Sequence, residues 1–226
     1  MTATVECAPV ELDLLATHAG ARFPFPLRVP SFGRLAAERD ALLAAAGHAL
    51  RDRGLATEHG PLGMANELVT ALREYRGAVD VVVVGPTVVR GAVAMVYGSW
   101  AVVCHQTLSD TEPGTVRVVR VPATALTDEL ATLIPPARPA PELPVTLPPA
   151  VDQLATLVAA PAGRGQLGAV RRAGATVRRV REVSWLDSPR GRVRVDRGSD
   201  GWVSVNPVRH NELVRALGEV AAVARG

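Results

Sequence analysis

The sequence predicts an α+β fold: a central antiparallel meander sheet with a quasi-two-fold internal repeat, flanked by helices. Three observations predict it. Apolar spacing changes at residue 79 from a 3.6-residue period to short, Val-rich runs. A second set of alternating runs occupies Arg164 to Pro207. Both halves also close alike, on a strand, a proline and an amphipathic helix. TVRVVRVPATALTDELATLI (115–134) and GWVSVNPVRHNELVRALGEV (201–220) overlay with an offset of 83 to 85 residues. One continuous sheet with four strands from each half accounts for all three.

VELDLLATHA (10–19) reads as a short amphipathic helix ended by Gly20. RFPFPLRVPS follows, and its prolines force an extended path. Phe23, Phe25, Leu27 and Val29 alternate, which predicts an edge strand or an extended arm lying on a core. Ser31 can cap the next helix. Leu35, Leu42, Leu43, Ala46 and Leu50 share its apolar face, and Gly54 ends it. Pro61 opens a further helix. That helix aligns Leu62, Ala65, Leu68, Val69, Leu72 and Tyr75, stops at Gly77, and packs antiparallel to the one before. Strands then fall at 79–84, 87–96, 99–106 and 115–121, punctuated by Gly85-Pro86, Gly98 and Glu112-Pro113-Gly114. Residues 123–134 return to helix, with Leu126, Leu130 and Leu133 aligned.

PPARPAPELPVTLPPA (135–150) holds seven prolines and reads as a semi-rigid linker. Residues 151–160 form a short helix, the Arg-rich strands follow, and a last helix runs from Pro207 to about Ala222. Asn206 is its N-cap, and Leu213, Val214, Leu217, Val220 and Ala221 are its apolar face. The expected organisation is one domain over 1–226: an N-terminal half (1–134), the linker (135–150) and a C-terminal half (151–226).

A chain of 226 residues with 48 % hydrophobic content can bury a core and is too apolar for a disordered segment. No apolar run reaches the roughly 18 residues of a membrane span. The start, MTATVECAPVELDLL, lacks a basic segment. The expectation is a cytoplasmic protein with no membrane partner. Cys7 reads as an exposed tail residue and Cys104 as a buried, inert thiol; two cysteines make no disulfide framework. All 25 basic residues are arginine, and the net charge is only +3. Its distribution is uneven. Residues 1–163 carry 12 arginines and 16 acids, net −4, whereas 164–197 carry ten arginines and three acids, net +7.

Gly163, Gly165 and Gly168 match GxGxxG formally. A helix precedes them and a strand follows, the reverse of a dinucleotide site, so they read as turn and bulge glycines. His18, His48, His59, His105 and His210 show no metal-ligand spacing; Cys104 and His105 point to opposite faces of a strand. There is no G-x-S-x-G nucleophile turn, and Asp128-Glu129 are first-turn acids of a helix. The reading is no enzyme, no catalytic residue, no cofactor, no metal and no small-molecule substrate. The Arg-rich strands 164–197 support an alternative, a nucleic-acid-binding regulator. Only Trp185 and Trp202 could stack bases there, so the solvated outer face of a sheet is the preferred account and nucleic acid is disfavoured.

FPFPLRVPS, RGQLGAVRR, the hairpin Trp185-Leu186-Asp187-Ser188-Pro189-Arg190-Gly191-Arg192, and GWVSVNP occur in an order that resembles the EspG family of ESX (type VII) secretion-associated chaperones. The likeness spans nearly the whole chain. It implies a cytosolic chaperone or adaptor that binds helical secretion substrates and keeps them soluble for export. Better-known members carry a longer helical bundle where this chain has room only for a short helix after the linker. A PE–PPE pair and a WXG100-like protein therefore both stand as partners, with the chaperone itself a monomer or homodimer. Gly85, Pro86, Val88 and Leu108, with Leu154 and Leu157 on the 151–160 helix, are the candidate contact residues.

Overall fold

Ten strands hydrogen-bond into one antiparallel sheet in the order β1-β7-β6-β5-β4-β9-β10-β11-β12-β8. The structure, a computed structural model, describes residues 4–109, 113–141, 145–147, 162–174, 176–198 and 201–226. The first half supplies β1 (Thr4–Cys7), α1 (Pro9–Ala19), α2 (Ala36–Asp52), α3 (Gly63–Glu74), β4 (Gly77–Val84), β5 (Val89–Tyr97), β6 (Trp100–Leu108), β7 (Val116–Pro122) and α4 (Leu126–Ala131). A two-residue ladder of β2 (Ala56–Thr57) and β3 (Gly60–Pro61) links α2 to α3. The second half supplies β8 (Val145–Leu147), β9 (Gly163–Ala173), β10 (Thr176–Ser188), β11 (Gly191–Arg197), β12 (Val203–Pro207) and α5 (His210–Arg225).

The strand order is a palindrome. Each half is a four-stranded meander, and each sends a short first strand back to the outside of its own last strand. β1 pairs with β7, and β8 pairs with β12. β4 and β9 meet at the centre. The expected four strands per half are present, and both outer strands lie where the sequence reads otherwise. Thr4–Cys7 is a strand rather than a tail, and Cys7 is buried. Residues 145–147 of the expected linker form β8. Runs this short carry no readable alternation; the backbone groups left open on β7 and β12 give them partners. The expected 151–160 helix lies outside the described residues.

Helices cover the sheet from both sides in the first half. Val79, Val81, Val83, Ala92, Ala94 and Val103 face α4 and α5 with Leu126, Leu213, Leu217 and Val220. Ala78, Val93, Met95, Val102 and Cys104 face α1 and α3 with Leu12, Leu68 and Leu72. Burial on both faces is why these strands read as unbroken Val-rich runs. A third, smaller cluster of Ala140, Val193, Val203 and Val205 lies in the second half.

Helix starts differ from the expected ones. α2 begins at Ala36, and its Glu38 carboxylate accepts the Arg34 N–H at 2.8 Å; Ser31 instead accepts from Arg39 at 2.8 Å. Leu35 and Leu42 are exposed, and Ala46 and Leu50 alone are fully buried on that helix. Pro61 is held in the β2–β3 ladder, so α3 opens at Gly63 and Leu62 is exposed. Asn206 and Pro207 remain in register with β11, so α5 opens at His210, where Glu212 accepts the Arg209 N–H at 2.7 Å. α4 shrinks to one and a half turns but still buries Leu126 and Leu130.

The formal GxGxxG lies within β9, not in turns. A Cβ on Gly165 would stand 2.0 Å from the Trp185 ring, and one on Gly168 would stand 1.9 Å from the Arg179 guanidinium. These glycines let two long side chains of β10 lie flat across β9. Gly165→Ala should lower stability by about 1–3 kcal/mol, the usual range for overpacking. Urea unfolding measures it, and an unchanged midpoint would remove Gly165 from the packing account.

Candidate partner-binding surface

The end of the sheet where β4 finishes gathers most of the candidate contact residues. Gly85, Pro86 and Val88 form the β4–β5 loop, closed by the Gly85 N–H donating to the Val88 carbonyl at 2.9 Å. Leu108 ends β6 in register with Val89 at the start of β5. Pro86 and Val88 are exposed, and Leu108 is half-buried. Leu154 and Leu157 lie outside the described residues.

The Pro-rich arm crosses the same end. It is an arm and not a strand, and it is tied to β6 by Gln106. The buried Gln106 side chain accepts the Arg28 N–H at 2.8 Å and donates to the carbonyls of Arg28 and Gly114, each at 3.0 Å. Pro26 and Leu108 both close over Gly91, where a Cβ would stand 2.9 Å from the proline ring. At the other end of the arm, Arg39 grips the Asp13 carboxylate at 2.7 and 3.1 Å and also donates to the Phe32 carbonyl. Phe23, Leu27 and Val29 pack on the core, but Phe25 is 57 % exposed. Alternation alone assigned all four to the core. The proline on each side of Phe25 sets its direction, and no periodicity reports that.

Phe25 forms one wall of a groove of about 300 Å³ whose other lining includes Val82, Val84, Gln166 and Leu186. Phe25, Val84 and Leu186 thus line a groove that sequence reading did not assign to this surface. They come from three distant segments: the β4–β9 and β9–β10 pairings join Val84 to Leu186, and the Gln106 bonds of the arm bring Phe25 to them.

Beside the groove, Arg179 reaches across Gly168 to grip the buried Asp80 carboxylate at 2.9 and 3.0 Å. Its guanidinium lies 6.0 Å from the Phe25 ring, and Glu182 lies 3.3 Å from its Nε. Burial pushes the Asp80 carboxyl up to about 6, outweighing the attraction of Arg179.

Several other arginines of the +7 segment are held in the same way. Arg192, read as part of a solvated face, is fully buried. It donates to Asp187 at 2.6 and 3.0 Å and to the Pro135 carbonyl, with its guanidinium 5.7 Å from the Trp185 ring. Arg181 pairs with Glu219 and Arg194 with Asp196. Arg172 donates to the Leu72 and Arg73 carbonyls at the end of α3. Trp185 is buried beneath these groups and offers no stacking platform.

Titratable groups elsewhere gather no chemistry. Cys104 and His105 do face opposite sides. Burial raises the thiols of Cys7, to about 12, and of Cys104. His105 bonds Glu129 at 2.9 Å, and burial, then the Arg117 charge, holds it below the usual imidazole range. Among the described residues no cluster of three metal-ligating side chains occurs, and no helix is long and apolar enough to cross a membrane.

A model of the EspG family matches residues 8–151 and 148–219. The chain belongs to the EspG family. Membership implies an ESX secretion-associated chaperone role, in a family of chaperones rather than enzymes. The two matched segments overlap at residues 148–151, just after β8. No curated protein matches the chain. Two crystal structures of HtdX from Mycobacterium tuberculosis align at 12 % and 13 % identity. They cover 91 % and 90 % of this chain and 98 % and 96 % of theirs, with TM-scores of 0.17, too low to carry any inference.

The Asp80 carboxyl gives a pH signature. Its pKa is higher folded than unfolded, so the native state holds that proton more tightly. Its contribution to stability is full below about pH 4 and is lost as pH rises through about 6. Two units correspond to about 3 kcal/mol at most. Asp80→Asn should flatten the dependence of unfolding free energy on pH between 4 and 6; an unaltered slope would assign that dependence to other groups.

Proposed function

We propose that this EspG-family protein is a cytoplasmic chaperone or adaptor of ESX (type VII) secretion. It binds a helical substrate, a PE–PPE pair or a WXG100-like protein, and keeps it soluble for export. The observation that carries the proposal is the apolar groove at the end of the sheet. Exposed Phe25 forms one wall, Arg164, Gln166 and Ser184 are its polar lining, and Val84 in the lining leads directly into the β4–β5 loop that exposes Val88.

The physical fit is with the tip of a helical bundle. Such a tip exposes apolar side chains that would otherwise drive aggregation. An aromatic anchor beside an aliphatic-lined groove removes that surface from water, and interface energies concentrate at such anchors. The β4–β5 loop and the arm are both tied to rigid strands, through the Gly85–Val88 turn and Gln106, so little order has to be gained on binding. The family relation supplies the substrate class, and the groove supplies a place for it. The pairing of Arg179, Arg181, Arg192 and Arg194 with carboxylates takes four of the ten arginines from the nucleic-acid alternative, and the burial of Trp185 takes a stacking side chain from it.

Co-expression with small helical secretion substrates encoded beside the gene, followed by affinity purification, tests the proposal. The intact chain should recover one of them as a stoichiometric complex. Phe25→Asp combined with Val88→Asp should weaken that complex at least 30-fold, the equivalent of about 2 kcal/mol at a contact centre. The melting temperature should not change, because both side chains are exposed. Failure to recover any such substrate overturns the function, and full binding by the double variant overturns the site.

A further inference from the structure

β10 outruns the strand on one of its sides. Its register with β9 extends from Thr176 to Asp187, whereas its register with β11 covers only Ser184–Ser188. Among the described residues no strand pairs with the outer side of Thr176–Val183. Such an edge presents backbone N–H and C=O groups ready for another strand. Thr176 through Val180 are exposed, with Val177 and Val180 each at 49 %.

The charge on this strip is unbalanced at one place. Arg178 stands directly opposite Arg171 in the β9–β10 register. Like charges facing across a ladder are unfavourable. Both side chains are exposed, and neither has a carboxylate partner among the described residues. Their neighbours are committed: Arg179 to Asp80, Arg181 to Glu219, Arg172 to the carbonyls of α3. Arg164, Arg190 and Arg197 also lack a carboxylate partner among the described residues, but Arg171 and Arg178 are the two that oppose each other directly, and they sit beside the open edge.

We propose that the open edge of β10, Thr176–Glu182, docks an extended acidic segment of a partner protein. The segment adds a strand to the sheet and sets a carboxylate against the Arg171–Arg178 pair. A second copy of this edge is a poor occupant, because it would bring a second Arg178 to the same surplus. Nucleic acid is a poor occupant too, since no aromatic side chain lies on Thr176–Glu182. The shift in register between Arg179 and Arg181 interrupts the edge at Val180. Bulges of this kind limit indiscriminate strand addition, so charge and register select the partner. The Arg171–Arg178 pair lies at the β9–β10 turn, the other end of the β4–β9 register from the groove residue Val84, although Arg179 of the same strip stands 6.0 Å from the Phe25 ring. What the groove binds does not enter the inference.

The full-length chain should be titrated into a fluorescein-labelled ten-residue peptide of alternating Thr and Glu, read by anisotropy at low salt. A Thr–Gln peptide and a ten-nucleotide single strand serve as comparisons. The acidic peptide should bind, the Thr–Gln peptide should bind at least tenfold more weakly, and hydrogen exchange should slow at amides within 176–182. Arg171→Glu with Arg178→Glu should weaken the peptide at least tenfold, while circular dichroism shows an unchanged fold. Equal binding by the variant, protection at another place, or tighter binding of the oligonucleotide would each overturn the proposal. So would a homodimer in sedimentation that the double variant abolishes.

Discussion

The β4–β9 pairing is the interaction on which the other elements depend. Eight consecutive residues of β4 meet eight of β9, from Gly77 opposite Arg171 to Val84 opposite Arg164. Val79, Val81, Leu167 and Ala169 are buried along it. No local connection brings these strands together; the rest of the first half and residues 135–162 intervene. Its formation carries the loop-closure cost of joining two meanders that are each made of neighbouring strands. α5 then rests across the join, and its Ala224 carbonyl comes so close to β4 that only glycine fits at position 77.

The same join explains where the charge goes. Arg179 belongs to β10 and Asp80 to β4, two strands away, and Gly168 on the intervening strand clears the path. The pair ties the two halves together on the face that carries the groove. Arg192 and Asp187 form a comparable pair further out, under the segment that ends α4. A run of arginines that looks like a polyanion footprint in one dimension is, in three, a set of partners for acids drawn from both halves. Among the described residues Arg171 and Arg178 are the unneutralised arginines that face each other directly across a ladder.

The fold was largely legible in the sequence, and the site was not, for the same physical reason. Strand alternation and helix spacing are local, so the two meanders, α3, α5 and the buried leucines of α4 could be read directly. The resemblance of the two chain ends also revealed the palindrome. Edge strands escaped notice: Thr4–Cys7 and Val145–Leu147 owe their conformation to β7 and β12, not to their own composition. Gly165 and Gly168 looked like turn residues because nothing local announces Trp185 and Arg179 lying over them. Pro86 and Val88 were named because loops carry function. Phe25 was assigned to the wrong side because its orientation is set by the prolines around it and by Gln106, some eighty positions away.

The arrangement also limits where a partner can bind. In the first half α1–α3 cover one face of the sheet and α4 and α5 the other, so neither face is available to a large apolar surface. Partners are left the strand ends and the edges. At the end where β4 finishes, chain turns and the arm bring exposed apolar side chains onto rigid strands. At the opposite end, the long β9–β10 hairpin offers backbone groups and positive charge. The two ends thus differ in what they expose: apolar side chains around a groove with Arg164 in its lining at one, and a facing arginine pair beside open backbone groups at the other. Under the proposed function the separation has a use, because a single surface could not both cover a substrate and receive a second protein while occupied.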